Sequence, residues 1–378
     1  MKIALLGLGT VGKTVFDILQ DKSLPFLKKY NIDIKYVLVR NIHNKNISSE
    51  LLVRDYNKIL NDSSIEVVIE MMGAYVSYEY MKKALLASKH VITANKEVIA
   101  NHYLELQEIA MKNHVNLLFE ASVGGGIPIV HTLLTGTSYN HITNIKGILN
   151  GTTNFILTSM FEEKIEFEEA LKIAQKKGFA EADPTADLEG LDMVRKIAIL
   201  SMIAFSAPID LNKIEHSGIK NVTKEIVEIL DLLDYKLKFI ATSNLTEDGV
   251  AISVEPVVLK KTELLSTVNY EYNLVLYTGD ACATQMMYGK GAGQATAHSI
   301  LFDLELLLSG YHQSFMPTKK VNYLNKKQMV SRYMIKPKNK LNKKWIDKYL
   351  GTMMITKPIS KEELESLDSE IEFYARIE

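Results

Sequence analysis

The sequence holds one cysteine in 378 residues, Cys282, so no intrachain disulfide can form and a cysteine-rich metal site is excluded. Such cysteine usage suits a reducing compartment. Excess charge is missing too. The 44 basic residues face 45 acidic ones, a net charge of −1, and no global field favours nucleic acid or an anionic membrane. Long apolar runs are absent. The opening run IALLGL ends in glycines and is too short for the apolar core of a signal peptide. No segment reaches the ~18–20 apolar residues of a membrane span. The nine histidines show no H-x-x-x-H or other transition-metal spacing, and His90, His131 and His298 read as structural. Repeats and low-complexity tracts are lacking, apart from a mild lysine bias over 318–345. What these absences leave is a soluble, cytoplasmic protein whose partner is a small molecule, with no nucleic acid and no membrane.

The length allows two or three domains with substantial cores. Over the first 120 residues, apolar strand-like runs at 2–6, 34–39, 66–70, 90–93 and 116–120 alternate with helical spacing at 12–20, 78–88 and 103–113. Short links and near-continuous apolar strands predict an α/β domain with a doubly wound parallel sheet. In LLGLGTVGKTV, the glycines Gly7, Gly9 and Gly12 stand at G-x-G-x-x-G between the first strand and the first helix. Gly7 permits the tight turn, Gly9 lets the backbone approach a pyrophosphate, and Gly12 lets the helix pack close on the strand. Free N–H groups at the helix start, around Thr10 and Val11, suit the anion. The alternative is a structural turn; the strand–turn–helix context favours the Rossmann-type dinucleotide site. The second strand ends in Arg40, with His43 shortly after, where an NAD site usually has an acid. Arg40 therefore favours NADP, with NAD possible, unless it is only a solvent-facing strand end.

Beyond 120 the character changes. A glycine loop, ASVGGGIP, leads to an α+β region with strands at 144–149, 250–259 and 273–278 and helices at 167–177, 190–205 and 223–230. A second glycine loop, YGKGAGQ, opens a long helix that packs back on the first domain. The expected division is 1–130 for the dinucleotide domain, completed by 289–316, then 131–288, then a short tail over 329–378. Within the tail, 332–336, 343–350, 353–355 and 370–377 read as a βαβ-like unit.

Several clusters could carry chemistry. TANK places Lys96 past a strand's C-terminal end, where open α/β sheets bind ligands; a solvated lysine in a helix-capping loop is the plain alternative. AEADPTADLEGLDMVRK concentrates Glu181, Asp183, Asp187, Glu189 and Asp192 before Lys196. Asp192 and Lys196, at i and i+4, share a helix face. Exposed, that pair is worth a few tenths of a kcal/mol; buried beside a substrate, it can shuttle a proton. The apolar residues of the same helix argue for burial. ILNGTTNFIL, with Gly151 and Thr152, reads first as a turn, or else as a cluster of backbone N–H groups and hydroxyls for an amino-acid substrate. FEASVGGGIP offers the Glu120 carboxylate and a loop of carbonyls to a hard monovalent cation.

These motifs resemble the homoserine dehydrogenases. The family signature is matched at Ala174, Gly178, Asp183-Pro184, Asp187, Leu188, Gly190, Asp192 and Lys196. GLGTVG, TANK, EASVGGGIP, ILNGTTN and GKGAGQATAHSILFDL follow in family order, over about residues 1–310. The resemblance implies a Rossmann-type domain, an α+β catalytic and dimerisation domain, and reversible NAD(P)H-dependent reduction of L-aspartate 4-semialdehyde to L-homoserine in threonine and methionine biosynthesis. It implies Lys96 and Lys196 as acid/base lysines, Asp192 orienting Lys196, Glu181 with the Gly151–Thr152 region holding the substrate ammonium, and Asp187 completing the network. Thr93 and the loop with Gly291 and Gly293 would flank the nicotinamide. A sodium or potassium ion would take Glu120 with the carbonyls of Val123, Gly125 and Ile127, and the assembly would be a homodimer or homotetramer. There is one departure. Many members end in an effector-sensing ACT domain, whereas about 50 residues follow Gln328 here and KPKNKLNKKW replaces the expected glycine turn. The tail reads as a reduced ACT-like fold serving packing or oligomerisation.

Three rivals are weaker. Another aldehyde or ketone reductase would share the scaffold. Oxidation of the semialdehyde to an acyl phosphate needs an activated cysteine, and Cys282 has no evident activating neighbour. An idle dinucleotide sensor would need neither lysine.

Overall fold

The computed structural model describes residues 1–21, 23–41, 47–339 and 341–378. They form two units, Met1–Ser138 with Gly289–Thr318, and Tyr139–Tyr288 with Lys319–Glu378.

In the first unit, strands β1 (Lys2–Leu6), β2 (Asp33–Leu38), β3 (Leu52–Val53), β4 (Ile65–Glu70), β5 (His90–Thr93) and β6 (Leu117–Leu118) form a parallel sheet in the order β3-β2-β1-β4-β5-β6. Ile3 to Leu6 and Val67 to Ile69 are fully buried, which explains why these strands read as unbroken apolar runs. Chain order reverses between β1 and β4, so the crevice at their C-terminal ends is where such sheets take ligands. Helix α1 (Thr10–Gln20) buries Val15, Phe16 and Leu19 in this core. Helix α2 (Lys96–Lys112) starts well before the expected 103, because the Asn95 side chain accepts from the Val98 N–H at 3.2 Å and caps it. The strand expected over 116–120 stops at Leu118, and Glu120–Ser122 is a 3₁₀ turn leading to helix α3 (Ile129–Gly136).

The second unit has a ten-stranded mixed sheet. It contains β7 (Ile142–Ile148), β8 (Tyr235–Thr246), β9 (Gly249–Lys260), β10 (Tyr272–Gly279) and β11 (Ala283–Lys290). Helices α4 (Gly151–Glu163) and α5 (Leu191–Phe205) are both extensively buried. The turn expected at 148–157 is instead the first turns of α4. The Asn150 side chain accepts from the Thr153 N–H at 2.8 Å, so a strand end becomes a helix start. β8, which pairs along its whole length with β9, has no counterpart among the expected strands. Helix α6 (Ala295–Leu308) belongs to the first unit and buries Ala297, Ile300, Leu304 and Leu307 in the α1 core.

The tail adds β12 (Tyr333–Pro337), β13 (Ile346–Leu350), β14 (Met353–Thr356), helix α7 (Lys361–Ser366) and β15 (Ile371–Ile377). The order along the main path is β11-β10-β7-β8-β9-β15-β12-β14-β13, with the short pair Glu215–His216 beside β9. Residues 343–350, expected to supply the helix of a βαβ unit, form a 3₁₀ turn and β13. The tail's helix is α7, set by a reciprocal Ser360–Glu363 capping box. Among the described residues, no helix is long and apolar enough to cross a membrane.

Candidate active site

At the end of β1 the chain turns through Gly7 at φ +97, and a Cβ there would lie 3.0 Å from the Met71 carbonyl oxygen. A Cβ on Gly12 would overlap the Gly7 carbonyl oxygen, so only glycine lets α1 approach β1 this closely. Gly9 is the N-cap of α1 and has open space where its Cβ would stand. Thr10 and Val11 make the first turn, and no side chain caps it. The three glycines thus do three separate jobs, and the cradle fits a dinucleotide pyrophosphate. Arg40 is exposed just past the C-terminal end of β2. His43 lies outside the described residues.

Beside this turn, the buried Glu70 carboxylate accepts from the Met72 N–H (2.7 Å), the Ser77 hydroxyl (2.8 Å) and the Thr93 hydroxyl (2.5 Å). Thr93 in turn accepts from the Asn95 N–H at 3.0 Å. One carboxylate therefore ties together the segments that follow β4 and β5, and Lys96 begins α2 immediately after them. In the sequence Glu70 reads only as a strand residue; its signal is an acid closing an apolar strand.

The two glycine loops of the first unit pack backbone to backbone. Gly125, at φ +59, could carry no Cβ without colliding with Gly291, and the Gly126 N–H donates to the Lys290 carbonyl at 3.1 Å. Gly293 takes φ +70. Both Glu120 carboxylate oxygens accept backbone N–H groups, from Val130 at 2.9 Å and His131 at 2.7 Å, at the start of α3. Burial, with Asp303 nearby, pushes the Glu120 carboxyl up to about 7. Its side chain is thus committed to α3, so of the oxygens expected to hold a cation the Glu120 carboxylate is already engaged. No cluster of three or more His, Cys, Asp or Glu suited to a metal occurs among the described residues.

In the second unit, Gly190 at φ +84 precedes α5, and its missing Cβ makes room for Phe239. The first turns of α5 present Asp192 and Lys196, both nearly buried. The Lys196 ammonium donates to the Leu149 carbonyl at 2.6 Å and pairs with Asp192 at 2.8 Å. Asn150 bridges two carboxylates, donating to Asp187 at 2.7 Å and Asp192 at 2.9 Å. Burial first, and then the neighbouring Asp192, hold the Asp187 carboxyl above its ordinary range. Thr152, buried in the first turn of α4, donates its hydroxyl to the Phe179 carbonyl at 2.6 Å and stands beside the Asp187 carboxylate. Gly151 passes close to Glu271, with room only for a hydrogen. Glu181 is exposed; its backbone carbonyl accepts from Gln175 at 3.1 Å. Asp183 caps the Thr185 turn rather than joining the cluster. Asp187, Asp192, Lys196 and Thr152 do come together, organised by Asn150. That residue lay inside the quoted NGTTN motif without a role of its own.

A Rossmann-type sheet with a glycine cradle, joined in one chain to a buried acid–lysine cluster, defines an NAD(P)-dependent oxidoreductase. Two family models match the chain: homoserine dehydrogenase, NAD binding domain, over residues 7–120, and homoserine dehydrogenase over 128–304. The chain is 42% identical to a homoserine dehydrogenase of Bacillus subtilis over 311 residues, which are 80% of this chain and 72% of that protein. A crystal structure of a homoserine dehydrogenase from Thiobacillus denitrificans matches all of this chain and 98% of its own, with a TM-score of 0.91 and 28% identity. A hyperthermophilic archaeal homoserine dehydrogenase in complex with NADPH shares the fold at a TM-score of 0.72 and 24% identity, over 82% of this chain and 98% of its own. The chain belongs to the homoserine dehydrogenase family, and its function is that dehydrogenase activity in amino-acid biosynthesis.

Proposed function

We propose that Lys196 is the acid/base group at the reacting oxygen when L-aspartate 4-semialdehyde and L-homoserine interconvert. The observation carrying this is the ammonium clamped between Asp192 and the Leu149 carbonyl. An ammonium has three donors, and among the described residues these two oxygens occupy two of them. The third is free to meet a carbonyl oxygen. A bound nicotinamide would supply the hydride for the aldehyde carbon. Charge then builds on the oxygen, Lys196 stabilises it and delivers the proton, and Asp192 holds the lysine in place. Running backward, the same lysine takes the proton from the hydroxyl.

Lys96, at the start of α2, is the second candidate acid/base lysine. Thr152, next to Gly151 in the chain, and Glu181 would accept from the substrate ammonium, and Asp187 would complete the polar surroundings. Gly7, Gly9, Thr10, Val11 and Gly12 would hold the pyrophosphate. Thr93, Gly291 and Gly293 would flank the nicotinamide. Arg40 would pair with a 2′-phosphate, which makes NADP the preferred cofactor. The carbonyls of Glu120, Val123, Gly125 and Ile127, hard neutral oxygens, suit a sodium or potassium ion. A homodimeric or homotetrameric assembly in the cytoplasm completes the reading.

The test is Lys196→Ala in the purified enzyme, followed by NADPH absorbance with aspartate semialdehyde. The kcat is expected to fall at least ~100-fold, with NADPH affinity unchanged. A loss of tenfold or less would remove Lys196 from the mechanism.

A further inference from the structure

The end of β4 carries a charge that a core strand of a parallel sheet does not call for. Val67, Val68 and Ile69 are fully buried, and Glu70 follows them into the same core, fully buried as well. A carboxylate at that depth is costly unless donors answer it. Among the described residues, the donors that do so come from two segments only. One oxygen accepts from the Met72 N–H, the Gly73 N–H at 3.3 Å and the Ser77 hydroxyl, all in the stretch after β4. The other accepts from the Thr93 hydroxyl, at the end of β5.

The Thr93 hydroxyl has one hydrogen. Giving it to Glu70 leaves its lone pairs for the Asn95 N–H, which donates to it at 3.0 Å. Asn95 then works in two directions. Its Oδ1 accepts from the Val98 N–H and starts α2, and its Nδ2 donates to the Ala74 carbonyl at 3.1 Å. Ala74 lies in the stretch that Glu70 already holds through Met72, Gly73 and Ser77. The bonds therefore close a ring, from Glu70 through Thr93, Asn95 and Ala74 back to Glu70. Lys96 follows Asn95 and is the first residue of α2, so the ring fixes its backbone and the direction of its Cα–Cβ bond.

We propose that Glu70 is a positioning residue for the reaction, acting through this ring to aim Lys96 into the crevice at the C-terminal ends of the strands. The proposal rests on the reading of Lys96 as an acid/base lysine. Glu70 itself touches neither substrate nor cofactor. A brace for the stretch after β4 would be complete with the donors from 72–77. The bond to Thr93 adds the link from that stretch to the start of α2. A lysine that moves a proton needs that link, since about 1 Å of misplacement can cost about 100-fold in rate.

A double-mutant cycle on the full chain tests this, read by NADPH absorbance with both substrates saturating. Lys96→Ala should lower kcat. Glu70→Ala should lower it at least about tenfold, with KM for aspartate semialdehyde little changed. In the double variant the Glu70 factor should vanish, because a residue that acts through the lysine has nothing to act on once the lysine is gone. Glu70→Gln keeps one oxygen for the donors after β4 and should recover part of the loss. It also carries the cycle if Glu70→Ala fails to fold. A Glu70 factor as large without Lys96 as with it overturns the proposal and leaves the lysine's role intact. So does a kcat that neither Glu70 variant moves. No loss from Lys96→Ala would instead overturn the acid/base reading of that lysine, and the proposal with it.

Discussion

At the glycine turn of the first unit, what matters is atoms that are missing. Gly7 and Gly12 have no Cβ because carbonyl oxygens occupy or crowd that space, and Gly9 leaves room for a ligand. At the acid–lysine cluster of the second unit, what matters is charge taken out of water. Lys196, Asp192 and Asp187 are held by one another and by Asn150. The first region is built from backbone geometry. The second is built from buried charge, each group held by its partners. Shape-built sites break when an atom is added; charge-built sites break when one is removed.

The largest effect on stability is expected from adding an atom. Gly12→Ala forces its Cβ against the Gly7 carbonyl, which should cost about 2–3 kcal/mol and weaken NADPH binding at least about tenfold. Gly9→Ala, with nothing near the new atom, is the internal control and should leave urea stability nearly unchanged. Equal losses in the two variants would erase the distinction between crowded and open glycines. Removing a partner in the other region comes next. Asn150→Ala deletes the α4 cap and the bridge between Asp187 and Asp192, which should cost about 1–2 kcal/mol. The kcat should drop, with NADPH affinity retained. Weakened NADPH binding would show that the two regions are not independent.

The smallest effect is a pH slope. The folded state holds the Asp187 proton more tightly than the unfolded chain does, since its carboxyl sits above the ordinary 3.8. Its contribution to stability is therefore complete below 3.8 and is lost as pH rises through the folded value. Urea midpoints should fall along that rise, and Asp187→Asn should flatten the curve. The same slope in both proteins would assign the effect to another group.

The regions also differed in how far they could be read in advance. The glycine motif carries its geometry in its spacing, so the β1–α1 turn and the parallel sheet were legible from apolar runs and punctuation alone. The Asp192–Lys196 spacing was equally visible, yet i, i+4 spacing does not report burial. Lys13 and Asp17 share that separation in α1 and stand half in water, where such a pair contributes a few tenths of a kcal/mol. Asp192 and Lys196 sit in a helix whose other residues are nearly all buried. The roles of Glu70 and Asn150 are hidden in the sequence for a related reason. Each acts through partners distant in the chain, Thr93 for one and Asp187 and Asp192 for the other. Residues 343–350 form a turn and a strand rather than the expected helix, because a short polar stretch lacks the periodicity that separates a helix from an edge strand.

By itself the sequence determined the α/β architecture, the glycine turn between β1 and α1 and the family, because local periodicity and motif spacing are properties of neighbours along the chain. Only the tertiary structure decided which carboxylates stand together and that Glu120's side chain serves a helix. Desolvation and hydrogen-bond partnership arise between residues far apart in sequence, and they exist only once the chain has folded.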